Sequence, residues 1–328
     1  MRIVGYLSDW GYKKQLTQQQ ANCLTHINYA FGLVVDGEVS IAHLKRLEKL
    51  SQMRKMYPHL KVNLSIGGWG ADGFSQAVKT KEGRERLAAS ALAVLKKMDL
   101  DGLDWDWEYP SSSAAGIASR DDDPENMSAF LVLMREKLDT YSLETGKFYE
   151  QSIAVGADRV HDYIWPKVLP CLDTVNLMTY DMTGGPLVSH ATNLRTAAGS
   201  VYSTEKSVEA FMTAGVPAEK ILLGAAFYFH VYQGVANEAP FGKNFKQKCR
   251  NMPADQLDDT WQRHWDAQAQ AAYYTREDML LSGDDGQSLA AKRKYAEEKG
   301  LGGIIIWEIN HDGNNHLLPH LQGTESLG

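Results

Sequence analysis

Residues 101–110 read DGLDWDWEYP. On an extended strand the side chains alternate, so Asp104, Asp106 and Glu108 share one face and Trp105 and Trp107 take the other. A strand of this kind is covered on both sides. The tryptophans pack outward beneath helices, and the carboxylates converge on an interior. Like charges this close do not all ionise comfortably, so at least one carboxyl pKa rises. Glu108 comes last on the strand and so lies nearest its C-terminal mouth, where a raised carboxyl suits a general acid.

Two plainer readings of the acids are open. Ion pairs to bases on neighbouring strands need inward Lys or Arg, and the flanking apolar runs carry hardly any. A divalent cation site suits clustered carboxylates, but the aromatic company of these acids weakens it.

Outward from this stretch, short apolar runs alternate with helical patterns along most of the chain. Strands are predicted at about 3–9, 26–32, 61–67, 102–108, 151–157, 174–181, 221–228 and 303–309. Between them lie 3.6-period segments such as 42–56 and 83–98, with Leu or Met recurring at helical spacing. Asp123-Pro124-Glu125 offers an N-cap, a first-turn proline and an acid before a helical run at 126–140. Parallel strands require crossovers of this type. The expected fold is therefore α/β, a (β/α)8 TIM barrel. An open doubly wound sheet is the alternative, but no GxGxxG turn follows the first strand. Residues 231–285 break the rhythm and are too long for a structureless loop. They are read as a small α+β insertion after the seventh strand, flanking the cleft, with 1–230 and 286–322 forming the barrel.

The chain has 328 residues, 44% of them hydrophobic, and a formal charge of −7. That balance gives no basic face for nucleic acid or anionic lipid. Cys23, Cys171 and Cys249 are isolated, so neither a zinc site nor a disulfide framework is expected. No run of about 18 apolar residues marks a membrane span. No leader is legible ahead of MRIVGYLSDW. The expectation is a cytoplasmic chain as it stands, or a secreted one if a leader has been removed.

DGLDWDWEYP resembles the DxxDxDxE signature of glycoside hydrolase family 18, matching Asp101, Asp104, Asp106 and Glu108. Further family-like stretches follow in order: GYLSDW (5–10), INYAF (27–31), SIGGW (65–69), MTYD (178–181) and IWE (306–308). The resemblance spans roughly residues 3 to 312. It implies a chitinase that cuts β-1,4-linked N-acetylglucosamine with retention, where the substrate's own acetamido oxygen is the nucleophile. It requires no cofactor or metal, and its partner is chitin or a chito-oligosaccharide bound by a monomer.

The resemblance also implies roles. Glu108 protonates the leaving oxygen. Asp106 orients the acetamido group, and Asp104 shares a proton with Asp106 above Tyr6 and Ser65. Tyr180 and Tyr228 hold the acetamido group, while Met178 and Asp181 line the sugar pocket. Trp307 is the sugar floor, Trp69 flanks the leaving-group side, and Phe31 is a further substrate-binding residue. Family members carry non-proline cis peptides at the positions of Ala30–Phe31, Glu108–Tyr109 and Trp307–Glu308. The family's FYGR is replaced here by Phe227-Tyr228-Phe229-His230, so the usual arginine is missing and His230 is its candidate substitute. Two other functions share this pattern: an endo-β-N-acetylglucosaminidase acting on N-glycans, and a non-catalytic chitin-binding lectin. The lectin's usual mark is loss of the terminal Glu, and Glu108 is present.

Overall fold

The computed structural model describes residues 1–235 and 239–322, so residues 236–238 of the expected insertion lie outside the described residues. Strand β1 (Arg2–Ser8) leads through α1 (Gln18–Cys23) to β2 (His26–Val35), which carries an antiparallel edge strand β3 (Glu38–Ser40). Helix α2 (Leu47–Met56) precedes β4 (Lys61–Gly67), and α3 (Phe74–Val78) and α4 (Lys81–Met98) precede β5 (Gly102–Asp106). Then follow α5 (Asp123–Thr145), β6 (Glu150–Gly156), α6 (Trp165–Val168), β7 (Thr174–Met178), α7 (Thr204–Thr213) and β8 (Ile221–Ala226).

A second sheet interrupts the pattern: β9 (Tyr228–Gln233), β10 (Gln247–Pro253), β11 (Gln262–Asp266), β12 (Ala271–Arg276) and β13 (Met279–Gly283). It pairs antiparallel in the order β10-β9-β13-β12-β11, and among the described residues its helical element is a 3₁₀ turn at Ala254–Gln256. Phe229, Trp261, Tyr274 and Leu281 form its own small core, with Trp265 packed at the edge. The chain then returns through α8 (Gly286–Glu298) to β14 (Gly303–Trp307).

Strands β1, β2, β4, β5, β6, β7, β8 and β14 pair in parallel, and β14 pairs with β1 to close the barrel. Closure leaves the interior to side chains from alternate positions and sends the others under the helices. Trp105 meets Phe130 of α5 edge-on at 4.8 Å, and Trp107 stacks on Phe74 of α3 at 5.3 Å. Both indoles are fully buried, as the alternation in DGLDWDWEYP requires.

Several boundaries differ from the sequence expectation. The helix expected from residue 42 begins at Leu47, because Asp9 captures the free N–H groups ahead of it. Its carboxylate accepts from Lys45 N at 3.0 Å and from Arg46 N at 2.8 Å. Helix α5 begins at Asp123 with Asp122 in the cap position, so Asp123 is not the N-cap. Its buried carboxylate instead accepts from Ser75 Oγ, Arg120 N and Ser111 N at 2.7, 2.7 and 3.2 Å, tying the loop after β5 to α3. Strands β5, β7 and β8 stop two or three residues early, so Glu108, Tyr180 and Asp181 sit on the turns that leave the barrel and Tyr228 opens β9.

Candidate active site

The carboxylate face of β5 is built in layers. Asp104 is fully buried and accepts four hydrogen bonds: Tyr6 OH at 2.9 Å, Ser65 Oγ at 2.7 Å, Ser152 Oγ at 2.6 Å and Asn176 Nδ2 at 3.0 Å. The donors come from β1, β4, β6 and β7, and the register aligns Ser65 and Ser152 directly with Asp104. The expected sharing of a proton between Asp104 and Asp106 is not seen as a hydrogen bond among the described residues, since the oxygens of Asp104 are taken up by these donors.

Asp106, one layer higher, is buried and its Oδ1 has no hydrogen-bond partner. Burial, then the charges of Glu108 and Asp104, push its carboxyl well above the usual range. Glu108 is lifted to about 7, first by burial and then by the Asp181 charge, against a hydrogen bond from Tyr109. Burial raises Asp104 as well, but its four donors oppose the rise. Both upper acids are thus shifted towards holding a proton, the direction a general acid needs.

Above these acids lies a cavity of about 650 Å³, lined among others by Tyr6, Phe31, Trp69, Met178, Tyr180 and Trp307. Asp106, Glu108 and Asp181 face it as well. Tyr228 lines an adjoining recess with Asp181 and Trp307, and its ring meets Tyr180 edge-on at 6.3 Å. Ser65 and Asp104 lie beneath. The structure thus gathers all the sequence-predicted site residues at the C-terminal end of the barrel. Trp307 stacks on Phe31 at 5.5 Å and contacts Tyr6 at 5.9 Å, so its indole is held as a platform. The peptides Ala30–Phe31, Glu108–Tyr109 and Trp307–Glu308 are cis, as the resemblance implied.

The SIGGW turn brings β4 against β5 closely enough to require glycine. Gly67 has φ of +123°, and a Cβ there would lie 2.0 Å from the Asp106 carbonyl oxygen. Gly68 N donates to that oxygen at 2.8 Å, which leaves Trp69 projecting at the cleft edge, 64% exposed.

His230, in place of the family arginine, is buried on β9 and pairs through Nε2 with Asp181 Oδ1. Burial works to raise Asp181, but the His230 hydrogen bond and charge, with Tyr228 and Lys248, outweigh it and leave Asp181 below its ordinary value.

Sequence reasoning missed several residues here. Ser152 and Asn176 occupy inward positions at period two on β6 and β7, a signal present in QSIAV and TVNLM but not followed. Trp10 lies within the quoted GYLSDW and was given no role. Its ring sits 6.5 Å from Trp307 and 6.1 Å from Phe31, beside a groove of about 1120 Å³ that runs on from the cavity past Asp36, His43 and Asp72. Tyr109 meets Trp69 at 6.3 Å and carries the Arg159 guanidinium at 5.2 Å. Lys248 and Asn251 reach the cavity from β10, whose placement no local pattern gave.

The comparisons agree with this geometry. The family model described as "Glycosyl hydrolases family 18" matches residues 2–312. The chain is 30% identical over 316 residues to chitinase A1 of Niallia circulans, covering 86% of this chain but 45% of that protein's length. With chitotriosidase-1 of Mus musculus it shares 27% over 346 residues, covering 95% of this chain and 73% of that one. Among solved structures it superposes on a family 18 N-acetylglucosaminidase from Paenibacillus barengoltzii with a TM-score of 0.90 and 37% identity, covering 98% of both chains. With matched residues running almost from end to end around the carboxylates of β5, this chain belongs to glycosyl hydrolase family 18.

Proposed function

We propose that the protein hydrolyses β-1,4-linked N-acetylglucosamine chains with retention, using the substrate's acetamido oxygen as nucleophile. The observation that carries this reading is the three-layer carboxylate stack. Asp104 is saturated by donors, Asp106 keeps one buried oxygen unpartnered, and Glu108, raised to about 7, lines the same cavity as the aromatic platform. A pyranose seated on Trp307 presents its C–H face to the indole. Its acetamido N–H then has an acceptor in Asp106, and Tyr180 and Tyr228 flank the group.

Glu108 protonates the leaving oxygen while the acetamido oxygen forms a bond to the anomeric carbon, giving an oxazolinium ion. The positive charge of that ion reverses the electrostatics around Asp106. The cation offsets the neighbouring negative charges that raise the Asp106 carboxyl, so the hydrogen bond that Asp106 accepts from the acetamido N–H strengthens as the ion forms. Glu108, now ionised, removes a proton from water, which attacks the anomeric carbon from the opposite face of the ring to the acetamido oxygen and restores the configuration.

The neighbour named as an N-acetylglucosaminidase favours a second reading, release of single sugars. The groove continuing past Trp10 favours longer chains. Chitotetraose hydrolysis resolves the two: disaccharide as the first product supports the chain-cutting reading, and monomer with trisaccharide as the first products supports the second. Glu108→Gln keeps shape and reach but delivers no proton, so turnover is expected to fall by about 10²–10⁴-fold while binding survives. A substrate with a deacetylated sugar at the cleavage position should resist the native enzyme. Near-native hydrolysis by the Glu108→Gln variant, or ready cleavage of the deacetylated sugar, would sink the mechanism.

A further inference from the structure

Lys292 and Asp284 are fully buried, and none of the steps above uses them. Lys292 Nζ donates to Asp284 Oδ2 at 2.7 Å, to the Gly224 carbonyl at 3.0 Å and to the Thr192 hydroxyl. Asp284 Oδ2 also accepts from Ala226 N at 2.9 Å, and its Oδ1 accepts from Ser288 Oγ at 2.7 Å. A buried ion pair is weak evidence for stability, because desolvation can consume its Coulombic gain. Its placement offers another account.

The pair sits where two barrel strands stop pairing. The β7–β8 ladder ends at Asn176↔Leu222. Beyond it the Thr179 hydroxyl replaces the ladder, accepting from Gly224 N at 2.7 Å and donating to Gly224 O at 3.1 Å. Gly224 is needed here, since a Cβ would come within 2.7 Å of Thr179 N and 2.9 Å of the Tyr180 ring. Thr192 Oγ1 donates to the Thr179 carbonyl at 2.8 Å, which frees its oxygen to accept from Lys292. Thr179 lies between Met178 and Tyr180, Ala226 lies two residues before Tyr228, and Asp284 directly follows β13. One ammonium–carboxylate contact therefore holds the exits of β7 and β8 and the return from the second sheet.

We propose that Lys292 and Asp284 are positioning residues for the hydrolysis, setting the separation of Tyr180 and Tyr228 and with it the fit of the cyclised acetamido group. This rests on the mechanism proposed above. Misplacement of about 1 Å costs on the order of 10²-fold in turnover. A loss of simple stability would not select between ligands.

The test uses the double variant Asp284→Asn/Lys292→Met, which retains an acceptor for Ala226 N and the aliphatic volume of the lysine. Thr192→Val accompanies it, because it keeps both charges of the ion pair and removes the hydroxyl that accepts from Lys292, lies 3.4 Å from Asp284 Oδ2 and links the pair to the Thr179 carbonyl. Each folded variant is assayed on chitotetraose and titrated with chitobiose and with a thiazoline analogue of the cyclised sugar. Expected are a drop in kcat of roughly 10–100-fold for the double variant and a few-fold for Thr192→Val, with thiazoline affinity falling in parallel. Chitobiose affinity should stay within about twofold. Native kcat and native thiazoline affinity in either folded variant, or equal loss for both ligands, would overturn the proposal. If the double variant does not fold, Thr192→Val decides alone. Glu108→Gln run in parallel separates the failures: an inactive Glu108→Gln beside a native Thr192→Val overturns the positioning role only, whereas an active Glu108→Gln overturns the mechanism beneath it.

Discussion

Ser152 Oγ donates to Asp104 Oδ1 at 2.6 Å from the strand next to the one that carries Asp104 and Asp106 and leads into Glu108. With Ser65, Tyr6 and Asn176 it fills the lower carboxylate from four strands of the barrel. Asp104 then serves as a fixed acceptor whose charge bears on Asp106 above it. Ser152→Ala removes one donor and leaves three, so kcat should fall by roughly tenfold with KM little changed, a loss of about one hydrogen bond to a charged group. Asp104→Asn removes the charge and turns an amide N–H toward groups that are themselves donors, so its kcat should fall further, by about 10²-fold. Steady-state kinetics on one chito-oligosaccharide checks both. A wild-type kcat for Asp104→Asn would show that the lower layer only fills space.

The pH profile follows from Glu108, lifted to about 7 by burial and the Asp181 charge. The proposed reaction needs its protonated form, so kcat/KM should fall with rising pH above about 7, and the apparent value belongs to the coupled carboxylates. Asp181→Asn removes a negative charge that holds the proton on Glu108. Its loss lowers the Glu108 pKa, so the alkaline limb should move to lower pH. A limb that stays in place or moves upward would contradict the assignment of Asp181 as a perturbing charge.

Much of this was legible because the sequence states it twice, in periodicity and in chemistry. DGLDWDWEYP declared both the buried indoles and the carboxylate face, since alternation on a strand leaves no other disposition. What was not legible depends on contacts distant in sequence. The start of α2 is set by Asp9, 38 residues before Leu47 in the chain numbering, and nothing in the helical run itself marks it. Lys248 and Asn251 reach the cavity on an irregular strand whose register shifts between Cys249 and Met252, so alternation there misleads. His230 was visible as a departure from FYGR, but its partner Asp181 lies on another turn and only folding joins them.

At the opposite end of the strands Glu150 gathers three bases. Lys61 Nζ lies 2.9 Å away, His26 Nε2 3.1 Å and Arg2 Nη2 3.3 Å. Burial works to raise Glu150, but these neighbours outweigh it and bring the carboxyl down to about 2. A depressed carboxyl contributes stability that is present above its unfolded value and lost as pH falls through the folded one. The contribution should therefore be complete above about pH 4.5 and disappear towards about pH 2, amounting to roughly 2–3 kcal/mol at neutrality. Glu150→Gln should lower Tm at pH 7 yet flatten its decline in acid. Parallel melting curves for the two proteins between pH 2 and 5 would refute this.

The aromatic platform can be divided by chain length. The proposed mechanism puts Trp307 under the cleavage position, so Trp307→Ala should weaken every substrate. Burying an aromatic face stabilises by about 1.5–3 kcal/mol, which corresponds to roughly 10–100-fold in KM or in ligand affinity. Trp10 is different. It is 56% exposed and sits 6.5 Å from Trp307 on the side where the groove continues, so only a chain that extends beyond the platform reaches it. Trp10→Ala should leave chitobiose affinity within about twofold of native while costing longer oligosaccharides about tenfold. Affinities for the two-, four- and six-sugar oligomers, measured by fluorescence or calorimetry on the inactive Glu108→Gln background, give the comparison without turnover. A uniform loss at all lengths would place Trp10 in the support of Trp307, while no loss at any length would mean that the groove carries no sugar.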